Sequence, residues 1–453
     1  MSAKHLNLVT LERFAESDLD HEEMIEAGRH LSTCGPCRAR LRGEVHGGAA
    51  ILERLARKGW PEEEPTGYEQ VFERLQGKAL ERIQKVQDER QLAPGLVAEL
   101  SRWPFPEQRR MIREEARFHS AALVDVLLDQ CSVVNQKDPA QSEETARLAL
   151  DIADRIGLAD CGHVLANDLR ARAWAYIGNT RRIFSDFRAA ESAMAKAEAL
   201  LEEGSGDPLE RARVLDLKAS LLRSQRRFDS ALATIDQVIS IYRRVHEEHR
   251  QGRALISKAM ILGYAGEQEK GISLFFQALD LIDTQKEPRL ALVALNNLLI
   301  DLTELGRYDE ASALVPEIHK FLAQGTRADR LHVFWAEAQL ESGRGQVESA
   351  EAKLHLVRGE FVAEGLGYDA AMASLDLAKI YLGQGRTAET RQLAAEMHSI
   401  FISREIHREA LVALVFFQKA AEQERATVQL VEEVTSYLRR AQGDPELRFE
   451  ASA

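Results

Sequence analysis

The chain has 453 residues, of which 59 are Lys or Arg and 72 are Asp or Glu, so its formal net charge is −13. This acidic balance argues against direct nucleic-acid binding, which needs a basic surface to displace phosphate counterions. Hydrophobic residues make up 45% and charged residues 29%. Such a composition excludes a disordered chain and predicts two or three domains or one long repeat array.

The sequence also bounds the compartment. The longest strongly apolar stretch, Ala410–Phe417, is far too short to span a membrane. No apolar segment typical of a secretory signal follows Lys4. Four cysteines in the whole chain do not make a disulfide framework. We therefore expect a cytoplasmic protein that makes no membrane contact.

The first chemical signal is the motif H-x3-C-x2-C, formed by His30, Cys34 and Cys37. On a helix end and the following turn, these offsets place all three side chains on one side. Imidazole and thiolate are ligands that zinc prefers, and a structural zinc site needs four of them. His5 is our choice for the fourth ligand, because it precedes an amphipathic run and can close the site across a helix pair. His21 is the alternative.

The same residues can be interpreted as C-G-P-C, a thioredoxin-type redox centre. That motif should follow a buried β-strand, whereas the residues from His21 to Leu31 have a helical pattern. The first 50 residues contain no cysteine besides Cys34 and Cys37 that could pair with them. We therefore expect a structural Zn²⁺ and not a redox sensor.

Residues 5–42 resemble the zinc-finger domain of bacterial anti-sigma factors. The order of features is the same: His5, a helix over Leu8–Glu16, an acidic turn, a helix over Glu22–Arg29, the H-x3-C-x2-C motif and the basic segment Arg38–Arg42. The resemblance implies a zinc-binding domain over residues 1–45, with His5, His30, Cys34 and Cys37 as ligands, that binds a sigma factor.

Residues 46–110 are predicted to form a helical connector. Apolar spacing predicts a long amphipathic helix over Tyr68–Arg90. Pro94, Pro104 and Pro106 are expected to break the stretch that follows it.

A repeat then occupies the predicted array, residues 111–442. Five similar turns begin at Gln225, Gly266, Gly306, Gly345 and Gly385, and a small residue follows each one at positions 231, 271, 311, 350 and 390, spaced by 39 or 40 residues. Ala146 and Ala190 extend this series backward. Glycine is expected to end one helix in a left-handed cap, and the small residue lets the next helix approach closely. The array resembles the tetratricopeptide-repeat family, with Glu304–Ala311 as its best match.

We therefore predict an all-α protein: a small zinc-bound helical domain, then a solenoid of helix pairs, then a frayed tail over residues 443–453. Cys131 and Cys161 are expected to be buried. The large aromatic residues of the array are expected to lie in its core: Trp174, Trp335, Phe275, Phe276, Phe416 and Phe417.

The favoured function is a soluble anti-sigma-like transcription regulator. Its zinc domain would bind a sigma factor, and its array would bind a further protein or peptide that carries the signal. The alternative is a repeat scaffold whose zinc knot is only structural. No catalytic constellation is found in the sequence, so we expect the protein not to be an enzyme.

Overall fold

The computed structural model describes residues 5–45, 49, 51–53, 68–135, 138–156, 158–402, 408–441 and 447–449. Throughout these residues the regular structure is helical, with no β-strand. The prediction of an all-α chain is therefore confirmed. Contacts divide the chain into two compact units, Met1–Gln87 and Asp88–Ala453.

The first unit begins with three short helices, α1 (Leu8–Glu16), α2 (His21–Thr33) and α3 (Gly35–Glu44). The side chain of Asn7 accepts a hydrogen bond from the backbone N–H of Thr10 and so caps α1. Asp20 and Glu23 form a capping box at the start of α2. These caps explain why a predominantly polar segment is helical.

The core of this unit is small. Its buried apolar residues come from all three helices and the residues that follow them: Leu11, Phe14, Ala27, Leu31, Cys37, Leu41, Val45 and Leu52. Cys37 is fully buried and belongs to this core. The packing of the three helices and the position of the thiol are therefore linked.

A long helix follows, α4 (Tyr68–Leu100). It continues through Pro94, so the prediction that this proline breaks the segment is wrong. Ala93, Val97 and Leu100 are buried in a shared cluster with later helices, and this packing offsets the cost of an internal proline. Pro104 and Pro106, by contrast, flank the start of the next helix as predicted.

The second unit continues as helices that pack mainly on their sequence neighbours. They are α5 (Phe105–Glu114), α6 (Ala121–Val134), α7 (Pro139–Ala153), α8 (Leu158–Ile183), α9 (Phe187–Glu202), α10 (Pro208–Ser224), α11 (Phe228–Arg244), α12 (Glu248–Tyr264), α13 (Gln268–Leu281), α14 (Pro288–Glu304), α15 (Tyr308–Phe321), α16 (Arg327–Gly343), α17 (Val347–Glu364), α18 (Gly367–Gly383), α19 (Thr387–Ile402), α20 (Arg408–Glu422) and α21 (Val428–Ala441). A 3₁₀ turn, Ala116–Phe118, lies between α5 and α6.

The five turns found in the sequence each join the two helices of a pair. Gly266, Gly306, Gly345 and Gly385 have φ between 71° and 84°, the left-handed region that favours glycine. In the turn at Gly306, the N–H of Arg307 donates to the carbonyl of Leu302 at 2.9 Å. This bond spans the turn and closes the end of α14. The predicted helix caps are confirmed.

The small residues that follow the turns lie where neighbouring helices meet. All seven of them are buried: Ala146, Ala190, Ala231, Gly271, Ala311, Ala350 and Thr390. A Cβ added at Gly271 would lie 3.0 Å from the carbonyl oxygen of Ala259 in the preceding helix. Close helix approach therefore requires a small side chain at this point of the repeat, as expected.

Most predicted core aromatics lie in the interior. Phe275 and Phe417 are buried, while Trp174 and Trp335 are half-buried and pack against the core. Phe276 is 48% exposed, so its placement in the core was wrong. Its neighbour Phe275 occupies the inward position of α13, and adjacent residues on a helix face different directions. The side chain of Phe416 lies outside the described residues.

Of the predicted frayed tail, the structure describes residues 447–449. The hydroxyl of Tyr437 donates to the carbonyl of Leu447 at 2.8 Å, and Phe449 packs edge-on against the Tyr437 ring. Cys131 is buried as predicted, and burial raises the pKa of its thiol to about 12. The side chain of Cys161 lies outside the described residues.

Candidate metal centre

Three segments of the first unit converge on one point. His5 precedes α1, His30 lies in the last turn of α2, and Cys37 lies in the first turn of α3. Cys34 is at once the residue that ends α2 and the residue that begins α3, with φ −94° and ψ 105°. The extended backbone of Cys34 changes the direction of the chain between the two helices. Cys34 is therefore the only residue that links α2, which carries His30, to α3, which carries Cys37.

The four side chains bring their donor atoms together. His5 Nδ1 lies 3.3 Å from Cys34 Sγ and 3.6 Å from Cys37 Sγ, and His30 Nε2 lies 3.3 Å from Cys37 Sγ. The four donor atoms all lie within 4.8 Å of one another. Within the described part of the chain, this is the one group of His, Cys, Asp and Glu residues that can hold a metal ion.

These distances fit a tetrahedral ion. With zinc–nitrogen bonds of about 2.0 Å and zinc–sulfur bonds of about 2.3 Å, a nitrogen and a sulfur ligand lie roughly 3.6 Å apart. Two imidazole nitrogens and two thiolates are a donor set that structural zinc sites use. The residues present therefore fit a closed four-ligand metal site.

Burial differs among the ligands. His5 is exposed, His30 and Cys34 are half-buried, and Cys37 is buried. Burial raises the pKa of the Cys37 thiol, and the neighbouring Cys34 raises it further, while the Leu6 backbone and Arg40 act in the opposite direction. A coordinating cysteine is bound to a metal ion as its thiolate. The positive charge of a bound ion would therefore stabilise the deprotonated form of Cys37.

Two arginines of α3 support the segments that carry the ligands. Arg38 donates to the carbonyls of Leu31 and Ser32 at 3.0 and 2.7 Å, close to His30. Arg40 donates to the carbonyl of Leu6 at 3.2 Å, next to His5. The basic character of this helix therefore has a structural use, which the sequence pattern alone did not indicate.

The surroundings of Cys34 and Cys37 bear on two alternatives: His21 as the fourth ligand, and a thioredoxin-type redox centre. The structure places His5 Nδ1 beside both thiols. His21 is the first residue of α2, but its side chain lies outside the described residues. The residues before Cys34 form a helix and not a strand, which is the context expected for a metal ligand and not for a thioredoxin centre.

Among the described helices, none combines the length and the apolar character that crossing a bilayer requires.

Comparison with known proteins shows the fold alone. No protein-family model matches the chain, and no curated protein matches it. Its structure is similar to that of a Rap protein complexed with competence and sporulation factor, with a TM-score of 0.54 and 12% sequence identity over 71% of this chain and 87% of the other. Aspartyl phosphate phosphatase F from Bacillus subtilis gives a TM-score of 0.47 and 11% identity over 89% of this chain and 96% of the other, too low to carry an argument. The chain thus shares a helical-repeat fold with a Rap protein over 71% of its length.

Proposed function

We propose that the chain is a cytoplasmic, non-enzymatic transcription regulator that binds a sigma factor through a zinc-containing N-terminal domain. The observation that carries the proposal is the convergence of His5, His30, Cys34 and Cys37 in the order found in anti-sigma zinc domains. The repeat array would bind the protein or peptide that carries the signal.

Zinc is favoured over other metals by the donor set. Two thiolates exclude the hard cations Mg²⁺ and Ca²⁺, which take oxygen ligands. A four-ligand site with one buried thiol leaves no open position for substrate, which is typical of structural and not catalytic zinc. The ion would hold the three short helices around a core too small to fold alone.

An exposed apolar residue marks a surface of this unit for a partner. Val9 on α1 is 62% exposed, although the opposite side of the same helix buries Leu11 and Phe14. Val9 itself is not one of the four residues of the candidate metal site. A substitution at Val9 can therefore disrupt partner binding without removing a metal-ligand side chain.

The array supports the second half of the proposal. The Rap protein of similar fold was solved as a complex with competence and sporulation factor. A solenoid of this class exposes an extended surface built from successive helix pairs, which suits protein or peptide binding. We infer that this array takes a protein or peptide ligand whose binding alters the grip of the zinc domain on the sigma factor.

The test is co-purification of the full-length, zinc-loaded chain with co-expressed sigma factors. We expect one-to-one recovery of one of them, loss of recovery in Val9→Glu with the zinc content unchanged, and retention in Glu81→Gln, a substitution at an exposed position of α4. If no sigma factor is recovered while other proteins bind the array, the proposal is wrong.

A second candidate function is a repeat scaffold whose zinc knot only stabilises the N-terminus. The observation that favours it is the use of Arg38 and Arg40 on the backbone of their own unit, which leaves less basic surface for a partner. This alternative predicts that deleting residues 1–45 leaves the main partner bound.

A further inference from the structure

Two arginines from neighbouring repeats meet without a carboxylate between them. Arg182 lies at the end of α8, and Arg223 lies at the end of α10. Arg182 donates from Nη1 to the hydroxyl of Ser224 at 3.2 Å and from Nε to Asn179 Oδ1 at 3.0 Å. Both of its acceptors are neutral, and the Ser224 contact brings it next to Arg223.

Arg223 is equally short of anionic partners. Its Nη1 lies 3.6 Å from the sulfur of Met260, and its guanidinium lies 5.6 Å from the ring centroid of Tyr264. Within the described part of the chain neither Arg182 nor Arg223 forms a salt bridge. Arg172, on the same helix as Arg182, shows the usual alternative, since it pairs with Asp125 at 2.9 Å and Glu210 at 3.1 Å.

The cost of this arrangement appears in the electrostatics. Burial, the larger cause, and the positive charge of Arg223 together lower the pKa of Arg182 to about 10. Asp216 interacts electrostatically with Arg223, but it lies about two helical turns earlier on α10 and Arg253 is its stronger basic neighbour. Two partly desolvated like charges that no carboxylate contacts in a salt bridge destabilise the folded state, and a bound anion would offset that cost.

An exposed aromatic ring lies beside the arginine pair. Tyr264, whose ring centroid lies 5.6 Å from the guanidinium of Arg223, is 56% exposed. Exposed aromatic rings beside arginine are enriched where proteins bind one another. The pair thus has the setting of a binding surface and not of an internal ion network.

We propose that Arg182 and Arg223 bind a carboxylate of an acidic peptide segment, in which a neighbouring apolar side chain contacts Tyr264. Guanidinium and carboxylate form short, charge-assisted, two-point hydrogen bonds. The inference rests on the proposed role of the array, but not on the zinc site or the sigma factor.

The test uses the full-length protein and sodium glutarate as the carboxylate probe. Thermal unfolding of the array is followed in glutarate, in sodium chloride of equal ionic strength and in inorganic phosphate. We expect glutarate to raise the unfolding temperature more than either salt, because a ligand that binds only the folded state stabilises it. Arg182→Met should lower the affinity for glutarate at least tenfold and raise the unfolding temperature of the ligand-free protein.

Arg170→Met is the matched control, because Arg170 lies on the same helix but pairs with Asp154 at 2.7 Å. This variant should keep the glutarate response and should not gain stability. A fluorescein-labelled peptide of alternating glutamate and leucine should bind more tightly than glutarate, and its glutamine counterpart should not bind.

Three results would overturn the inference. The first is a glutarate response that survives Arg182→Met. The second is a larger effect of phosphate than of glutarate, which would assign the pair to a phosphate ligand. The third is binding of glutarate but not of the acidic peptide, which would limit the site to small acids. None of these outcomes depends on whether a sigma factor is recovered.

Discussion

The two units of this chain reach a folded state in different ways. In the first unit, a small core surrounds Cys37, and the segments around α1 to α3 meet at four side chains that could hold a metal ion. In the second unit, buried apolar residues run in linked clusters from one helix pair to the next. Stability in the first unit should therefore depend on an ion, and stability in the array should depend on burial.

The largest difference between the two units is expected when the metal ion is removed. Chelation, or His30→Ala, should unfold the first unit and leave the thermal transition of the array in place. Structural zinc contributes about 10–16 kcal/mol to small domains, far more than a core of this size supplies. Proteolysis and hydrogen exchange of residues 5–45, with the zinc content measured in parallel, report the effect. His21→Ala is the control, and loss of zinc in that variant would reassign the fourth ligand.

A core truncation in α13 should have the opposite selectivity. Phe275 is completely buried, and Phe275→Ala should lower the stability of the array by about 3–5 kcal/mol through lost contacts and a cavity. Phe276→Ala, one residue further along, should cost under about 1 kcal/mol, since that ring is exposed. Denaturant unfolding measures both. Equal effects of the two substitutions would contradict the register of α13, and neither should change the zinc content.

The array also contains a carboxylate that should make its stability depend on pH. Burial raises the pKa of Asp301 to about 7, with a smaller contribution from Glu304. Since an unfolded aspartate has an ordinary pKa near 4, the folded state binds the extra proton between about pH 4 and pH 7. The stability that this group contributes is present below pH 4 and is lost as the pH rises through 7.

Asp301→Asn should therefore match the parent protein near pH 4.5 and exceed it at pH 8, by up to roughly 4 kcal/mol. Unfolding temperatures across this range provide the measurement. Asp329→Asn is a control of opposite sign: burial raises the pKa of Asp329, but hydrogen bonds from Arg289 and Thr326 lower it more. That variant should lose stability at pH 7. A pH-independent difference for Asp301→Asn would refute the assignment.

The smallest effect is expected at a turn. Gly306 has a φ of 71°, and Gly306→Ala should cost about 1–2 kcal/mol because a Cβ disfavours the left-handed region. Gly359→Ala, within α17 and with open space around its Cβ position, should instead stabilise by about 0.5–1 kcal/mol. Paired unfolding curves sharpen the comparison, since neither change should affect the first unit.

The sequence could predict those features that depend on local spacing. The turn glycines and the buried small residues recur at a nearly constant interval, so the helix pairs could be predicted without a structure. The four residues of the candidate metal site could be predicted because thiolate and imidazole at these offsets have few other uses.

Features that depend on tertiary packing were missed. The helix continues through Pro94 because Ala93 and Val97 are buried against later helices. This burial offsets the energetic cost of an internal proline, and no local sequence pattern indicates it. Phe275 and Phe276 are adjacent residues of the same type, and only the orientation of α13 decides which of the two rings is buried. Arg182 and Arg223 are 41 positions apart, in turns that carry many arginines, and only the stacking of α8 on α10 brings them together.

The placement of Cys34 has a consequence for synthesis of the chain. Because this one residue ends α2 and begins α3, all four ligands fall within the first 37 of 453 residues. Domains fold as units during translation, with the N-terminal one first. The four side chains of the candidate metal site can therefore come together while most of the array is still to be synthesised, so the first unit can fold before the array is complete.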